Sequence, residues 1–136
     1  LLFLAGLELT VDGKRVEPAD TMSYKAMMFS DVPNLALSFG YTNASWTLKS
    51  DLTSEYICRL LNHMQRHGYR RCVPRQRDAS MKKVPFLDFS SGYIQRAIAD
   101  MPQQGTRAPW KLYQNYLMDI IALRHGRVAD AAMEFS

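Results

Sequence analysis

The chain has 136 residues, 47% hydrophobic and 22% charged, and its 17 Lys and Arg against 13 Asp and Glu leave a formal net charge of +4. That length suits one domain with a real core and excludes two ordinary ones, and the composition excludes a disordered chain. The charge is compatible with an anionic ligand but falls short of a nucleic-acid footprint by itself. No apolar run approaches the ~20 residues of a membrane span. The opening "LLFLAG" lacks a basic start and a cleavage pattern, so a cytoplasmic protein is expected. The two cysteines, Cys58 and Cys72, have no CxxC spacing, which points to free thiols in a reducing compartment, both expected in the core. The sequence starts at Leu1 without a methionine, and a piece of something longer is expected.

In chain order, Leu7, Leu9 and Val11 alternate with polar residues. Asp12-Gly13 then gives a two-residue turn before Arg15 to Glu17 return, which predicts a β-hairpin. Pro18 and Asp20 close it. The stretch "MSYKAMMF" is a short extended candidate whose Met and Ala content leaves helix open. Asp31, Pro33 and Asn34 punctuate, and Leu35 to Phe39 read as a buried strand. The clearest element follows: Leu48, Leu52, Tyr56, Ile57, Leu60, Leu61 and Met64 trace one face of an α-helix that Gly68 stops. Its start is either Ser50-Asp51 or Ser45. Ser45 is favoured because Leu48 shares the stripe of Leu52.

"YRRCVPRQR" is a brief extended piece that becomes a basic loop through Asp78 to Lys83. "SSGYIQRAIADM" predicts a short helix capped by Ser90 or Ser91, with Ile94, Ala97, Ile98 and Met101 inward. A third helix is predicted to begin near Pro109 and to end at Gly126. Its inward set is Trp110, Tyr113, Leu117, Ile120, Ile121 and Leu123. The tail "RVADAAMEFS" reads as a weak final turn. The expected fold is an α/β or α+β piece, a short hairpin and strands followed by three helices.

The junction "GYTNAS" stands where the strand would meet the long helix. A helix N-terminus offers unpaired N–H groups and a partial positive charge, here those of Trp46, Thr47 and Leu48. Gly40 would let a ligand approach the backbone, and Ala44 and Ser45 extend that access. A tight turn with a capping serine explains the same residues about equally well.

Four words in order, "GYTNASWTLK", "LLNHM", "SSGY" and "RAPWKLYQNY", resemble the C-terminal part of bacterial flavin-containing monooxygenases close to the Baeyer–Villiger enzymes. The likeness runs from about Leu7 to Ser136. It implies a parent enzyme that uses FAD and NADPH to insert one oxygen atom from O2 into a small organic substrate. It implies that residues 1–68 end a Rossmann-like FAD domain, with its hairpin, last strand and following helix, and that 69–136 form a basic loop and helical extension. Gly40, Tyr41, Thr42, Asn43, Ala44, Ser45 and Trp46 would then lie beside the flavin, the helix dipole directed at its pyrimidine edge. Tyr41, Asn43 and Trp46 would also face substrate.

The absences carry equal weight. The seven glycines are widely spaced and form no GxGxxG, so the phosphate cradles for FAD and NADPH belong to other parts of such a parent. Catalysis by this segment alone is therefore not expected. Its partners would be the remaining FAD and NADP domains, and the isolated chain is expected to self-associate through the apolar surface they would cover. His63 and His67 stand four apart as zinc ligands can, without a third ligand or a general base. Arg70, Arg71, Arg75, Arg77, Lys82 and Lys83 admit a second reading, a small basic α+β module that binds RNA or a protein, with Tyr69 to stack on bases. A solvated, solubilising loop is the blander account of that run.

Overall fold

The structure, a computed structural model, describes residues 3–40, 44–86 and 98–136. Tyr41, Thr42 and Asn43 lie outside the described residues, as does most of the helix expected over 90–101.

The Asp12-Gly13 hairpin forms as expected. Strand β1 (Leu9–Val11) pairs antiparallel with β2 (Lys14–Val16), Leu9 opposite Val16. Asp12 (φ 49°) and Gly13 (φ 78°) supply the two positive φ angles that the favoured two-residue hairpin turn needs. "MSYKAMMF" resolves to a second hairpin, β3 (Ser23–Tyr24) against β4 (Met28–Phe29). Its turn places Lys25 (φ 50°) and Ala26 (φ 56°) in the left-handed region, at a cost of roughly 1–2 kcal/mol each. Burial of Tyr24, Ala26 and Met27 and a bond from Lys25 N–H to the Pro109 carbonyl (2.8 Å) hold it there.

The long helix is α1 (Trp46–His67), and its start at Ser45 and stop at Gly68 agree with the stripe. Leu52, Tyr56, Leu60 and Met64 are buried against Met22, Tyr24, Met27, Cys72, Trp110 and Leu123. Each such burial is worth about 1.5–3 kcal/mol. Leu61 sits off the stripe and is 58% exposed. The same inner face also buries Lys49 and Thr53, whose positions fall on the stripe although their polarity suggests solvent.

Three expectations are corrected. Leu35 to Phe39 joins no ladder among the described residues; a single backbone bond, from the Leu37 N–H to the Met27 carbonyl (2.7 Å), ties it to the β3–β4 hairpin. Aromatic packing also fixes it: Phe39 stacks on Phe3 (centroids 5.9 Å) and meets Phe86 edge-on (5.6 Å). The helix expected from Pro109 begins seven residues later. Asn115 caps α2 (Tyr116–Asp119), accepting from the N–H groups of Leu117 and Met118, and the helix continues as a π-helical stretch, Ile120–His125. The later start and wider turn rotate the face, so Leu123 is buried while Leu117 and Ile121 are 70% and 61% exposed. Trp110 is buried as expected, but from a turn.

The tail is the third correction. It forms β8 (Met133–Phe135), antiparallel to β5 (Cys72–Pro74). The carbonyl of Ser136 also accepts from the N–H groups of Arg70 and Arg71, both at 2.8 Å. A further two-residue ladder joins β6 (Lys83–Val84) to β7 (Gln104–Gly105). The described residues thus make an α+β arrangement of four small ladders and two helical elements, with no continuous Rossmann-like sheet among them.

Candidate functional site

Among the described junction residues, Ala44, Ser45 and Trp46 are exposed and Gly40 is half-buried. Ser45 stands at the N-cap in extended conformation, yet its side chain makes no capping bond. Its Oγ lies 2.8 Å from the Thr47 Oγ1 instead. The first turn contains no acidic residue. The N–H groups at the start of α1 are therefore not engaged by the cap side chain, and no carboxylate of the first turn offsets the dipole there. Ser38 Oγ and Ser50 Oγ, 2.8 Å apart, tie the preceding segment to the helix.

Gly40 has a local reason to be glycine. A Cβ built on it would overlap the indole ring of Trp46. That ring is 64% exposed, so one face covers Gly40 and the rest meets solvent.

A second group of residues escaped the sequence reading. The Tyr24 hydroxyl donates to the Asp130 carboxylate (2.6 Å) and lies 3.3 Å from the Tyr56 hydroxyl, both rings being fully buried. The Lys25 ammonium stands 4.0 Å from Asp130 and lies over the rings of Tyr24 and Tyr56. Burial pushes the Tyr24 hydroxyl far above the ordinary tyrosine range, helped by Tyr56 and Asp130, and pushes Tyr56 up to about 12. The Asp130 carboxylate is thus faced by a neutral donor and an ammonium.

Nearby, Lys49 and Asp119 form a salt bridge of 2.8 Å with side chains only 3% and 5% exposed. Burial lowers the Lys49 ammonium against the opposing pull of Asp119, and lowers Lys25 against Asp130 with Arg59 adding to the shift. Both lysines, with Lys111 and Arg127, border a cavity of ≈350 Å³. Its apolar walls come from Ala26, Ala108, Pro109, Ala122 and Leu123 and the ring of Tyr113. Nothing in the sequence joins Tyr24 to Asp130, 106 positions apart; the only trace was a lysine at position 49 on a stripe that should be apolar.

The lesser candidates resolve plainly. Arg71, Arg75 and Arg77 converge on Glu134, and Arg75 also bonds Asp31. Much of the basic loop is therefore matched by acids of this same chain. The rings of His63 and His67 meet at a tilt (centroids 4.3 Å), and among the described residues no group of His, Cys, Asp and Glu could hold a metal ion. Cys72 is buried as expected, and its thiol is raised by that burial, while Cys58 is exposed on α1. Among the described residues no helix is long and apolar enough to cross a membrane.

Comparison with known proteins places the whole chain. It is 45% identical over all 136 residues to "FAD-containing monooxygenase EthA" of Mycobacterium tuberculosis, covering 28% of that protein. Over 131 residues it is 47% identical to the protein of the same name from Mycolicibacterium smegmatis, 96% of this chain and 27% of the relative. It is 44% identical over 133 residues to "Probable FAD-binding monooxygenase AlmA" of Acinetobacter baylyi, 97% of this chain and 27% of the relative. No family model matches the chain, and no solved structure does. The chain thus spans little more than a quarter of these relatives, and over that span it matches a fragment of FAD-containing monooxygenases throughout.

Proposed function

We propose that this chain is the C-terminal segment of a cytoplasmic FAD- and NADPH-dependent monooxygenase that inserts one oxygen atom from O2 into a small organic substrate. The identity of 45% along the entire chain carries the reading. In the intact enzyme, residues 1–68 would end the FAD domain and 69–136 would form its C-terminal extension. The residues present suit an anionic, carbonyl-bearing ring edge, because the start of α1 has neither a side-chain cap nor a first-turn acid to compete with it. When bound, FAD supplies the redox and oxygen chemistry.

This chain's share is to bind and orient. The N–H groups of Trp46, Thr47 and Leu48 would hold the ring edge, and the dipole of α1 would favour negative charge there. Gly40, Ala44 and Ser45 keep side-chain bulk away, and Trp46 excludes water from one side. Tyr41, Thr42 and Asn43 complete the loop in this proposal, with Tyr41, Asn43 and Trp46 turned to substrate. Without the remaining FAD and NADP domains the chain is not catalytic. Exposed Leu117, Ile121 and Trp46 give it apolar surface through which the isolated segment would self-associate.

The test is the visible absorption spectrum of the complete natural chain that carries this sequence. Flavin bands that shift in Gly40→Ala and Ser45→Phe, at unchanged secondary structure, are expected. A folded protein with no flavin after reconstitution would overturn the reading and leave the small binding module in its place.

A further inference from the structure

The ≈350 Å³ cavity between the β3–β4 turn, α1 and the π-helical stretch is lined by none of the junction residues Gly40 and Ala44 to Trp46 and has a distinct chemistry. Four basic side chains border it, Lys25, Lys49, Lys111 and Arg127, against two acids, Asp119 and Asp130. Both acids are already engaged: Asp119 by Lys49 at 2.8 Å, and Asp130 by the Tyr24 hydroxyl at 2.6 Å. The Oδ1 of Asp130 further accepts from the N–H groups of Ala132 and Met133. The border therefore holds a surplus of two positive charges, and each acid is already partly offset by the donors bound to it.

Two of the cations are held rigidly. Lys25 projects from a left-handed turn whose N–H is bonded to Pro109, and Lys49 is fixed on α1 by Asp119. The other two, Lys111 and Arg127, are exposed at the border, and Arg127 presents a planar fork suited to two oxygens of one group. Beside them the apolar walls are Ala26, Ala108, Pro109, Ala122 and Leu123 with the Tyr113 ring. The volume is at the lower end of the range for small-molecule pockets. A charged rim over an apolar interior selects an amphiphile, not a free inorganic ion.

We propose that this cavity binds a small organic oxyanion, a carboxylate or phosphate monoester head carried on a compact apolar body. The head sits between Arg127, Lys111 and Lys25, and the body fills the space lined by Ala26, Ala122 and Leu123. The inference does not depend on flavin binding at the junction. It draws on different residues, and it stands or falls separately.

The test uses equilibrium dialysis of the complete natural chain against three probes: benzoate, phenyl phosphate and inorganic phosphate. Saturable binding of benzoate or phenyl phosphate is expected, and the tighter of the two identifies the head group. The double variant Lys111→Gln with Arg127→Gln should weaken it about ten-fold or more, because two charge-assisted contacts are lost at exposed positions. Ala122→Leu, which fills the interior, should remove binding while leaving the circular dichroism unchanged. Absence of binding by both organic probes overturns the proposal. So does wild-type affinity in both variants, or inorganic phosphate binding as tightly as phenyl phosphate.

Discussion

At its C-terminal end α1 is closed on every side. Gly68 takes the left-handed conformation (φ 69°), the N–H of Tyr69 returns to the Met64 carbonyl, and Arg66 and His67 stand in the last turn where the dipole is negative. One turn from its middle, the Arg59 guanidinium grips the carbonyls of Leu123 (2.7 Å) and Gly126 (2.9 Å) at the end of the π-helical stretch. At its N-terminal end the same helix has a serine that does not cap, no first-turn acid and an exposed tryptophan. Satisfied groups hold the fold together at the closed end. The N–H groups that Ser45 leaves uncapped at the other end are the ones the proposed function gives to a ligand, and the difference separates the stability of this helix from that function.

The largest effect should come from the buried pair beside the helix's first turns. Lys49→Ala leaves Asp119, 5% exposed, without its ammonium, and should cost about 3–5 kcal/mol in urea denaturation. Replacing both, with Lys49→Met and Asp119→Leu, should cost less than the single change. A double variant as unstable as the sum would show that the two residues act independently.

Next in size is an alkaline effect from the buried tyrosines. An unfolded tyrosine loses its proton near 10.0, whereas folded Tyr56 keeps its own to about 12 and Tyr24 holds on further still. Between those values the unfolded state binds fewer protons, so stability falls as pH rises, by about 1.4 kcal/mol per pH unit for each group. Below 10.0 the two hydroxyls add no slope. Lys25 and Lys49 act with the opposite sign. Their folded values lie below 10.5, so stability rises with pH from those values up to the unfolded one. Urea midpoints followed into the alkaline range should therefore turn over, and Tyr56→Phe should flatten the falling limb. An unchanged limb in that variant would remove Tyr56 from the account.

The smallest effects lie at the two helix ends themselves. Gly68→Ala meets no atom within 4 Å, so its cost is backbone strain alone, about 1 kcal/mol. Ser45→Ala removes no bond to a helix N–H, only the exposed contact with the Thr47 hydroxyl, and should cost under about 0.5 kcal/mol, less than an ordinary N-cap loss. A loss above about 1 kcal/mol would mean that Ser45 caps in solution and that the open end is closed after all.

How much of this was legible depended on how far apart the cooperating residues lie. The β1–β2 hairpin and α1 are written locally, in Asp12-Gly13 and in a stripe that runs from Leu48 to Met64. Where α2 begins was not, because Pro109 and Asn115 are both acceptable helix starts and nothing local ranks the Asn115 cap above the proline. The tail looked featureless because β8 has no alternation of its own; its pairing comes from Cys72, far back in the chain. Leu35 to Phe39 has strand composition but no partner strand among the described residues, and its aromatic ring found Phe3 and Phe86 instead. The cationic cavity assembles from separate turns and helices, and no window of sequence contains it.

The two thiols differ in a way that makes the molecule its own reporter. Cys58 stands exposed on the outer side of α1, and Cys72 is buried in β5 with its thiol held protonated. An alkylating reagent applied to the native protein should label the first at once and wait for an opening event to reach the second. The ratio of the two labels by mass spectrometry then measures how often the β5–β8 clasp comes apart, without any engineered probe.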